Sequence, residues 1–417
     1  MGNGAVFESD VVVAGGGSAG VAAAVGAAAA GARVTLIERY GFLGGAATNS
    51  SVLTYCGFFD QTRTQVVRGA GQRFLDKLSA RDVYRTQTMS ETGNTVVLLD
   101  PEITKIALDE LIGEANVTLL LHSTLIDATT GPSGVESLEI AHRGGRARIR
   151  ARAFVDASGD GAVIAATGAA VVSPVGERQA STQVIRAGGI DDDADLSAAG
   201  MQHAVVQYEA ASGESLVRTH GIAARLPISR EVLLLLADQH RDALDVGELT
   251  RAELESRRLC WGYLAAFRRY LPGWQNAYLA ATGPQIGIRE SRRLLARYAV
   301  TADDVSSGRK RPADSIARCG WPMEHHVEPG VTAYGGIRDK GWYDIPYDAI
   351  RAASIPNLWA AGRLTGSDNQ AYASLRVMGT SFATGHAAGV AAAVYADSGR
   401  HDLDRVRAEL VRQGALI

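Results

Sequence analysis

The sequence predicts a three-layer α/β fold with a mainly parallel sheet, into which a smaller α+β unit is inserted. The apolar run from Asp10 to Ala14 is followed by glycines and an alanine-rich segment, the pattern of a buried strand turning into a helix. Short apolar runs followed by glycine return at 154–161 and 357–362. The composition, with 46% hydrophobic residues, 47 glycines and only 6% aromatic residues, is typical of a tightly packed α/β protein.

The first glycine turn carries a dinucleotide fingerprint. Gly15, Gly17 and Gly20 fit the G-x-G-x-x-G pattern, in which the glycines permit a tight turn, close approach of a pyrophosphate, and packing of the helix on the sheet. Free N–H groups at the start of that helix favour a phosphate. Glu38 lies 18 residues after Gly20, at the end of the apolar run 34–37, where a carboxylate can hold ribose hydroxyls and would repel a 2′-phosphate. The opening unit is therefore predicted to be Rossmann-like and to bind a dinucleotide.

The next stretch alternates between helical and strand patterns. Residues 67–78 predict a loop entering an amphipathic helix. Asp100 followed by Pro101 predicts a second helix start, because aspartate caps helices and proline is tolerated in their first turn. Residues 117–121 predict a strand, and residues 135–155 predict a hairpin with a glycine turn.

Four arginines share one face of the second hairpin strand: Arg146, Arg148, Arg150 and Arg152. No aromatic residues are interleaved with them, so the stripe indicates a solvated strand face and not a nucleic-acid surface. The whole chain has 42 lysines and arginines against 45 acidic residues, a formal charge of −3. This balance argues against nucleic acid and anionic membranes as partners and favours a small-molecule substrate.

The pattern changes from about residue 171 to residue 340. Thr250 and Glu253 have the spacing of a capping box and predict the start of a long helix that ends near Pro272. A group of aromatic residues in and after this helix favours a helix core over a substrate wall: Trp261, Tyr263, Phe267, Tyr270 and Trp274. No second G-x-G-x-x-G follows a strand here, so a separate NAD(P)H domain is not expected.

The cysteines and the chain start indicate a cytoplasmic protein. Cys56, Cys260 and Cys319 are odd in number and form no C-x-x-C pair, which argues against both a disulfide framework and a zinc site. The first ten residues lack a signal-peptide pattern, and the long apolar segments are alanine- and glycine-rich stretches too weakly hydrophobic to insert into a membrane. We expect neither a membrane nor a nucleic-acid partner.

Cofactor-like segments are spread over the whole chain, at residues 15–20, 38–48, 156–161 and 362–385. A long, extended dinucleotide such as FAD needs a bed for adenine, pyrophosphate, ribityl chain and isoalloxazine, whereas an NAD site rarely needs all four segments. The sequence Gly379-Thr380-Ser381 opens a helix whose N-terminal dipole can stabilise negative charge at N1/O2 of a reduced flavin. The pattern therefore favours FAD.

Over nearly its whole length the chain resembles the FAD-dependent oxidoreductase family, within the flavoproteins like glutathione reductase and succinate/fumarate reductase. The motifs that carry the resemblance are GGGSAGVAAA at 15–24, GFLGGAATNS at 41–50, LLDPEITKIALDELI at 98–112, FVDASGDGAV at 154–163, GIRESRRL at 287–294, YDIPYDAI at 343–350, NLWAAGR at 357–363 and RVMGTSFATGHAAG at 376–389.

The resemblance implies a set of FAD-binding residues. They are Gly15, Gly17, Ser18, Ala19 and Gly20 at the pyrophosphate, Glu38 and Arg39 at the adenosine, Gly44, Gly45, Ala46 and Thr48 at the inner pyrophosphate and flavin, Leu125, Ala157 and Gly159 in the adenosine half, and Gly362, Gly379, Thr380 and Ser381 beside the ribityl chain and ring. The distant positions of Gly159, Gly362 and Gly379 indicate that the cofactor domain is assembled from both ends of the chain: a discontinuous FAD-binding domain, residues 1–170 and 341–417, around a substrate domain, residues 171–340.

Two departures from related flavoproteins bear on this site. Many relatives place an aspartate after the last strand's glycine to hold a ribityl hydroxyl, where this chain has Arg363. Either Asp368 substitutes for that aspartate or the contact uses backbone alone. The Ser-His-Thr pattern that tethers flavin covalently is also replaced, by residues 47–50, so we expect non-covalent FAD.

Three residues are candidates for catalysis. Arg289 resembles the family's arginine motif, and its planar guanidinium can clamp a carboxylate or stabilise an enolate; the alternative is an ion pair with Glu290 or another acid. His326 matches the family's spacing of proline, acid and histidine and is a candidate acid/base; the alternative is a structural histidine. Tyr343, which together with Tyr347 flanks the pair Ile345-Pro346, is the third candidate.

A metal site and a redox-active cysteine are two further possibilities near these residues. A metal site at Glu324, His325 and His326 is not expected, because adjacent side chains point apart and no further carboxylate ligand is evident. Cys56 lies ten residues beyond Ala46 and so near the flavin segment, but an inert buried thiol is favoured over a redox partner.

The sequence thus predicts an FAD-dependent oxidoreductase that dehydrogenates a small organic substrate by hydride transfer to flavin N5, with electrons passing to oxygen, a quinone or another acceptor. One alternative is a flavin-dependent monooxygenase or halogenase, although its usual tryptophan pair before Ile-Pro is absent, since residues 342–346 read WYDIP. A non-catalytic, FAD-binding redox sensor is the other alternative.

Overall fold

The computed structural model describes residues 5–89, 92–173 and 178–417. The strands are β1 (Ala5–Glu8), β2 (Val11–Ala14), β3 (Val34–Ile37), β4 (Thr54–Tyr55), β5 (Arg85–Thr88), β6 (Thr95–Leu98), β7 (Thr118–Leu120), β8 (Thr124–Gly131), β9 (Gly134–His142), β10 (Gly145–Arg150), β11 (Ala153–Asp156), β12 (Val171–Val172), β13 (Ser181–Gly188), β14 (Ile222–Arg225), β15 (Val232–Gln239), β16 (Tyr278–Thr282), β17 (Arg293–Leu294), β18 (Ser315–Cys319), β19 (Met323–Glu328), β20 (Val331–Gly335), β21 (Tyr343–Pro346) and β22 (Leu358–Ala360). The α-helices are α1 (Ser18–Ala29), α2 (Ala46–Asn49), α3 (Ala70–Ser79), α4 (Pro101–Glu114), α5 (Ala162–Ala166), α6 (Ala198–Ser212), α7 (Val246–Tyr270), α8 (Ala302–Ser306), α9 (Asn369–Leu375), α10 (Met378–Ser398) and α11 (Leu403–Arg412).

The central sheet is parallel throughout and has the order β22-β11-β2-β3-β7 within the described residues. Its middle strand β2 is buried at every residue, and the two faces of that strand enter different cores: Val11 and Val13 pack in one, Val12 and Ala14 in the other. A strand buried on both faces needs a continuous apolar run, which is what the sequence has there. The predicted parallel α/β fold is confirmed.

Helices α1 and α10 cover one face of this sheet and approach each other closely. A Cβ atom at Gly385 would lie 2.1 Å from the carbonyl oxygen of Ala19, and one at Gly389 would lie 1.9 Å from that of Ala23. Only glycine permits such an approach of two backbones. This contact explains the glycine and alanine content of the two helices.

A second sheet, in the order β1-β10-β9-β8, covers the other face of the central sheet. Leu138, Ile140 and Ile149 from this outer sheet share a core with Val12 and Phe154 of the central one. The three layers are thus a helix layer, the parallel sheet and an outer sheet that is mostly antiparallel.

The predicted hairpin is present as β9 and β10, but its second strand ends at Arg150 and not at Val155. The chain then crosses to the central sheet, where residues 153–156 form the separate strand β11. All four arginines are exposed as predicted, but Arg152 lies beyond the strand, where it donates to the carbonyl of Ala396 at 2.8 Å.

The segment after residue 180 builds an antiparallel sheet with the order β14-β15-β13-β16, against which α6 and α7 pack. The predicted capping box at Thr250 and Glu253 is wrong. Helix α7 begins five residues earlier, where the side chain of Asp245 accepts the backbone N–H of Glu248 at 2.8 Å. Aspartate is also a strong N-cap residue, and Thr250 instead donates to the carbonyl of Val246 inside the helix at 2.7 Å.

The aromatic group belongs mainly to the core between α7 and this sheet. Tyr263, Phe267 and Trp274 are fully buried, and Phe267 and Trp274 meet edge to face at 5.2 Å. Tyr270 is partly buried beside them, but Trp261 is 61% exposed and lies outside this core. The prediction that these aromatic residues form a helix core is therefore confirmed for the buried ones and wrong for Trp261.

In the described part of the chain, none of the helices combines the length and the apolar character that a membrane crossing requires. All three cysteines are free thiols. Val300, Val305 and Ile316 pack in the same core as Val11 and α10, although they lie within the predicted substrate domain. The domain boundaries stay a prediction.

Candidate active site

A long cleft lies at the carboxyl ends of strands β2, β3, β11 and β22. Its volume is about 1290 Å³ including the open mouth. Among the residues that line it are Gly15, Gly17, Ser18, Ala19, Glu38, Arg39, Gly45, Ala46, Leu125, Ala157, Gly159, Gly362 and Ser381. The cleft therefore brings together predicted cofactor residues from all four sequence segments.

The glycine turn after β2 presents the bare end of helix α1 to this cleft. The N-cap is Gly17, no side chain caps the helix, and its first turn holds no acidic residue. Gly15 has a φ of +98°, and a Cβ atom there would lie 2.5 Å from the carbonyl oxygen of Ala157. An uncapped helix start that lines a cleft offers N–H groups and a positive dipole to a phosphate. These features fit the pyrophosphate of a dinucleotide.

Glu38 is buried at the end of β3, where its carboxylate accepts two backbone N–H groups. Its Oε2 accepts from Gly16 at 2.6 Å and its Oε1 from Tyr40 at 3.0 Å. The neighbouring Arg39 lies 4.9 Å above the ring of Tyr40. Each carboxylate oxygen can accept more than one hydrogen bond, so Glu38 can still receive ribose hydroxyls.

Some predicted cofactor residues form the walls behind the cleft and do not line it. They are Gly20, Gly44, Thr48, Gly379 and Thr380. A Cβ atom at Gly20 would lie 1.7 Å from the carbonyl oxygen of Gly15, so this glycine lets α1 pack on the turn. Thr48 is buried and donates to the carbonyl of Leu43 at 2.7 Å. The presence of glycine and threonine at these positions is therefore explained by the packing of the loops that line the cleft.

One end of the cleft is formed by the start of α10, which begins at Met378, one residue before the predicted glycine. Met378 and Ser381 line the cleft, and the N–H of Gly379 donates to the carbonyl of Cys56 at 2.7 Å. We call the wall formed by Met378 and Ser381 the ring end of the cleft, because the family resemblance predicts the flavin ring there. Burial raises the pKa of the Cys56 thiol, with a smaller contribution from Glu324, so the group is protonated at neutral pH.

Arg363 lines the cleft and is held from two sides. Its Nη2 lies 3.0 Å from Oδ1 of Asp160 and its Nη1 donates to the carbonyl of Ile288 at 2.8 Å. Asp368, the predicted substitute for a ribityl-binding aspartate, does not line the cleft. It caps α9 by accepting the N–H of Ala371 at 2.7 Å, so that suggestion is wrong. Asp160, which the sequence analysis did not single out, lines the cleft instead.

Arg289 does not line the cleft; it follows Ile288, which does, in the segment that leads into β17. Its Nη1 donates to the carbonyl of Ala180 and, at 2.6 Å, to Oγ1 of Thr182; Oδ1 of Asp238 is 3.9 Å away. Burial lowers the pKa of Arg289 to about 10, opposed by Asp238, and the group remains charged at neutral pH.

The alternative offered for Arg289, an ion pair with Glu290 or another acid, is formed, but not with Glu290. Glu290 pairs instead with Arg293, whose Nη1 lies 2.7 Å from its Oε1. The acid beside Arg289 is Asp238, from strand β15.

His326 is buried in the hairpin formed by β19 and β20. Its Nδ1 lies 3.1 Å from Oγ1 of Thr332 and its Nε2 lies 3.6 Å from Oε1 of Glu324. Burial holds the pKa of His326 well below its usual value of 6.5, and three nearby guanidinium groups, those of Arg289, Arg376 and Arg218, lower it further. The imidazole is therefore neutral at pH 7 and can accept a proton.

Tyr343 is not brought to the cleft. It is fully buried in β21, where its hydroxyl lies 2.8 Å from Oγ of Ser374, and burial raises its pKa well above the usual 10. Its position among Ile345 and Cys319 is that of a core residue.

Arg376 is the main residue that the sequence analysis missed. It lines the cleft next to Met378, with Nε 3.2 Å from Oε1 of Gln179 and Nη2 donating to the carbonyl of Glu324 at 3.0 Å. The available signal was its place at the start of the RVMGTS motif, directly before the helix that forms the ring end.

Tyr40, Asn49 and Gln285 also line the cleft, and the hydroxyl of Tyr40 donates to Oε1 of Gln285. Among the described residues, no group of three or more histidine, cysteine, aspartate or glutamate side chains is placed to hold a metal ion.

Comparison with known proteins gives a family and a fold. The sequence profile of the family described as FAD dependent oxidoreductase matches residues 10–413. No curated protein matches the chain significantly. Among solved structures, a geranylgeranyl bacteriochlorophyll reductase-like protein from Thermoplasma acidophilum has a TM-score of 0.51 at 13% identity, over 99% of this chain and 85% of that one.

Two further structures fall slightly lower in similarity. The p-nitrophenol 4-monooxygenase PnpA from Pseudomonas putida has a TM-score of 0.49 at 11% identity, over 98% of this chain and 85% of that one. The anhydrotetracycline hydroxylase OxyS from Streptomyces rimosus has a TM-score of 0.49 at 11% identity, over 98% and 66%. At these identities the likeness to the Thermoplasma protein shows the fold alone.

Proposed function

The chain belongs to the FAD-dependent oxidoreductase family, and from that premise we propose that it dehydrogenates a small organic substrate by passing a hydride to flavin N5. FAD is the cofactor and supplies the hydride acceptor. The observation that carries the proposal is the arrangement next to the ring end of the cleft. Arg376 lines the cleft, and its Nε and the backbone N–H of the neutral His326 both donate to Oε1 of Gln179. A dehydrogenation needs a base for the departing proton and donors that fix the substrate's polar groups.

The proposal assigns the cleft as the FAD site, with the cofactor bound non-covalently. Gly17, Ser18 and the free N–H groups of α1 hold the pyrophosphate, and Glu38 holds the adenosine ribose. The segment from Gly362 to Arg363 lies along the ribityl chain. The start of α10 lies at the ring, with Ser381 lining that wall. The predicted division into an FAD-binding domain, 1–170 and 341–417, and a substrate domain, 171–340, is part of this proposal.

His326 accepts the substrate proton at Nε2 in this proposal. The imidazolium that forms lies 3.6 Å from Oε1 of Glu324, and the attraction between these charges offsets part of the cost of charging a buried ring. Arg289 orients the substrate through donors that Ala180 and Thr182 do not use. Tyr343 has no role in this scheme, because its hydroxyl is enclosed in the core.

Anaerobic mixing of the FAD-loaded protein with a panel of organic donors tests the proposal. A substrate should bleach the absorbance of the oxidised flavin. The His326→Gln variant should slow this reduction by about 100-fold or more, the usual size of a general-base contribution. The exposed Glu114→Gln change in α4 serves as the matched control and should leave the rate unaltered.

Other outcomes would replace the proposal by one of its alternatives. A flavin that no organic donor reduces, but that NAD(P)H reduces with incorporation of oxygen or halogen into a product, would indicate a monooxygenase or halogenase. Bound FAD without turnover, together with partner binding that depends on the flavin redox state, would indicate a sensor. The electron acceptor follows from reoxidising the reduced protein with oxygen or with a quinone and comparing the two rates.

A further inference from the structure

An unequal set of partly buried charges surrounds His326, next to the ring end of the cleft. The guanidinium groups of Arg218, Arg289 and Arg376 lie around it. The carboxylates are those of Asp238, which pairs with Arg218 and Arg289, and of Glu324, which lies beside the histidine ring, so the arginines outnumber the acids by one. The nearby Glu290 does not change this balance, because it is paired with a further arginine that lies next to it in the same segment. Burying an uncompensated charge is costly, so the surplus favours an anionic ligand.

The two neighbouring histidines, His325 and His326, carry no charge at neutral pH. Burial lowers the pKa of His325 and holds that of His326 well below 6.5, so both rings are neutral at pH 7. The local surplus is therefore set by the arginines and the two carboxylates alone.

Two of the arginines keep donors for a ligand. The hydrogen bonds found among the described residues use Nη1 of Arg289, and Nε and Nη2 of Arg376. This leaves Nη2 of Arg289 and Nη1 of Arg376, and Arg376 lines the cleft directly. Guanidinium groups bind planar carboxylates through paired N–H donors.

We propose that the substrate is an organic carboxylate, whose anionic group binds Arg376 and Arg289 at the ring end of the cleft. This inference rests on the proposed function, since it names the class of molecule that the flavin oxidises. The carboxylate compensates the surplus positive charge, and the C–H bond to be oxidised lies on the rest of the molecule.

Asp238 is the positioning residue of this site. Its carboxylate is fully buried, with Oδ2 3.0 Å from Nη1 of Arg218 and Oδ1 3.9 Å from Nη1 of Arg289. The hydroxyl of Thr182 donates to the same carboxylate and accepts from Arg289 at 2.6 Å. One side chain thus fixes the position of the arginine that binds the substrate.

Asp238 also holds the hairpin that carries His326. The N–H of Gly330, in the turn between β19 and β20, donates to Oδ2 of Asp238 at 3.1 Å. The anion-binding arginine and the base are therefore tied to a single buried carboxylate, which keeps the proton acceptor and the bound substrate in a fixed relation.

Ligand binding to the FAD-loaded protein tests the proposal without turnover. Acetate, propanoate, benzoate and succinate are titrated one at a time, each against its neutral amide, while the flavin absorbance spectrum and the thermal midpoint are recorded. At least one acid should perturb the flavin spectrum saturably and raise the midpoint, and its amide should do neither. Amides that bind as well as the acids, or four acids that leave the spectrum unchanged, would overturn the proposal.

Variants locate the anion. Arg376→Gln should weaken binding of the responding acid by about tenfold or more, the usual effect of losing a charge-assisted hydrogen bond. Arg376→Lys keeps the charge and should recover part of that loss. Arg146→Gln, at an exposed arginine of β10, should bind as the unaltered protein does. Unchanged affinity in a folded, FAD-containing Arg376→Gln protein would remove Arg376 from the site.

Asp238→Asn tests the positioning role. If Asp238 only stabilises the fold, the variant should lose thermal stability while the FAD-loaded protein keeps its affinity for the acid. If it positions Arg289 and the hairpin, the affinity should fall about tenfold, and the dependence of flavin reduction on pH should change as well.

The outcome for the carboxylate is separable from that for the proposed dehydrogenation. An uncharged donor that bleaches the flavin, with no response to any acid, would leave the dehydrogenation standing and remove the carboxylate site. Saturable binding of an acid, with no donor able to reduce the flavin, would support the carboxylate site and remove the proposed dehydrogenation.

Discussion

The carboxylate of Glu38 accepts the backbone N–H of Gly16 at 2.6 Å and so ties the end of β3 to the glycine turn that follows β2. A Cβ atom at Gly16 would lie 2.4 Å from Cδ2 of Leu43, which shows how closely the chain after β3 packs on this turn. Glu38 therefore has two tasks in the proposed cofactor site: it can receive ribose hydroxyls, and it fixes the loop that receives the pyrophosphate.

Glu38→Ala should weaken FAD binding by about ten- to 100-fold, because it removes the ribose acceptor and leaves the N–H of Gly16 without its partner. Glu38→Gln keeps one oxygen acceptor of similar shape and should lose less. The dissociation constant can be measured from the quenching of flavin fluorescence on titration of the apoprotein. Equal affinities for Glu38→Ala and the unaltered protein would show that this carboxylate does not contact the cofactor.

Gly20→Ala should destabilise the protein by about 1–3 kcal/mol or more, because the added Cβ would lie 1.7 Å from the carbonyl oxygen of Gly15. Helix α1 would have to move off the turn, so FAD binding should weaken as well. Urea unfolding measures the first effect and flavin fluorescence the second.

Gly113→Ala provides the matched control for this change. Gly113 lies in α4, and a Cβ atom there would meet nothing within 4 Å. Alanine favours a helix over glycine by about 1 kcal/mol, so this variant should be as stable as the unaltered protein or more stable. A Gly20→Ala protein that unfolds at the same urea concentration as Gly113→Ala would contradict the packing argument.

The part of the cleft built from contiguous residues was predictable from the sequence. The unit from β2 to Glu38 is a local pattern, because the glycine spacing, the apolar strands and the acidic residue all lie within one strand–turn–helix–strand unit. The glycines that pack against neighbouring loops were harder to interpret. Gly379 and Gly44 were predicted to border the cofactor, yet a Cβ atom at Gly379 would meet the carbonyl oxygen of Cys56, and one at Gly44 would meet the side chain of Thr48.

The substrate side of the cleft depends on contacts between distant parts of the chain. Arg289 has an acid next to it in sequence, but Glu290 belongs to a different buried pair, and Asp238 reaches Arg289 only after the antiparallel sheet has formed. The predicted start of α7 was wrong for a related reason. Asp245 and Thr250 are both suitable N-cap residues and lie five residues apart, so the local sequence alone does not decide between them.

Arg293→Met should destabilise the protein by about 3–5 kcal/mol, because it leaves the buried carboxylate of Glu290 without its counter-charge. The side chains are 1% and 4% exposed, and their charged atoms lie 2.7 Å apart. The double change Arg293→Met with Glu290→Gln removes both charges and should be the more stable of the two variants. Urea unfolding of both proteins checks this order; a double variant less stable than Arg293→Met would show that the pair is held mainly by other contacts.

His401 should make the protein less stable in acid. Burial lowers the pKa of His401 from 6.5 to about 4, with smaller contributions from Arg351 and Arg297. Between these two pKa values the unfolded chain binds a proton that the folded chain does not. The free energy of unfolding should therefore fall as the pH drops from 6.5 towards 4. Above pH 6.5 this group should not change the free energy of unfolding. His401→Phe keeps a ring against Tyr395, which lies 5.0 Å from it between centroids, and removes the titration. Urea unfolding at several pH values should show a shallower acid loss in this variant, and an identical slope would mean that the imidazole is as easily protonated in the folded protein as in the unfolded chain.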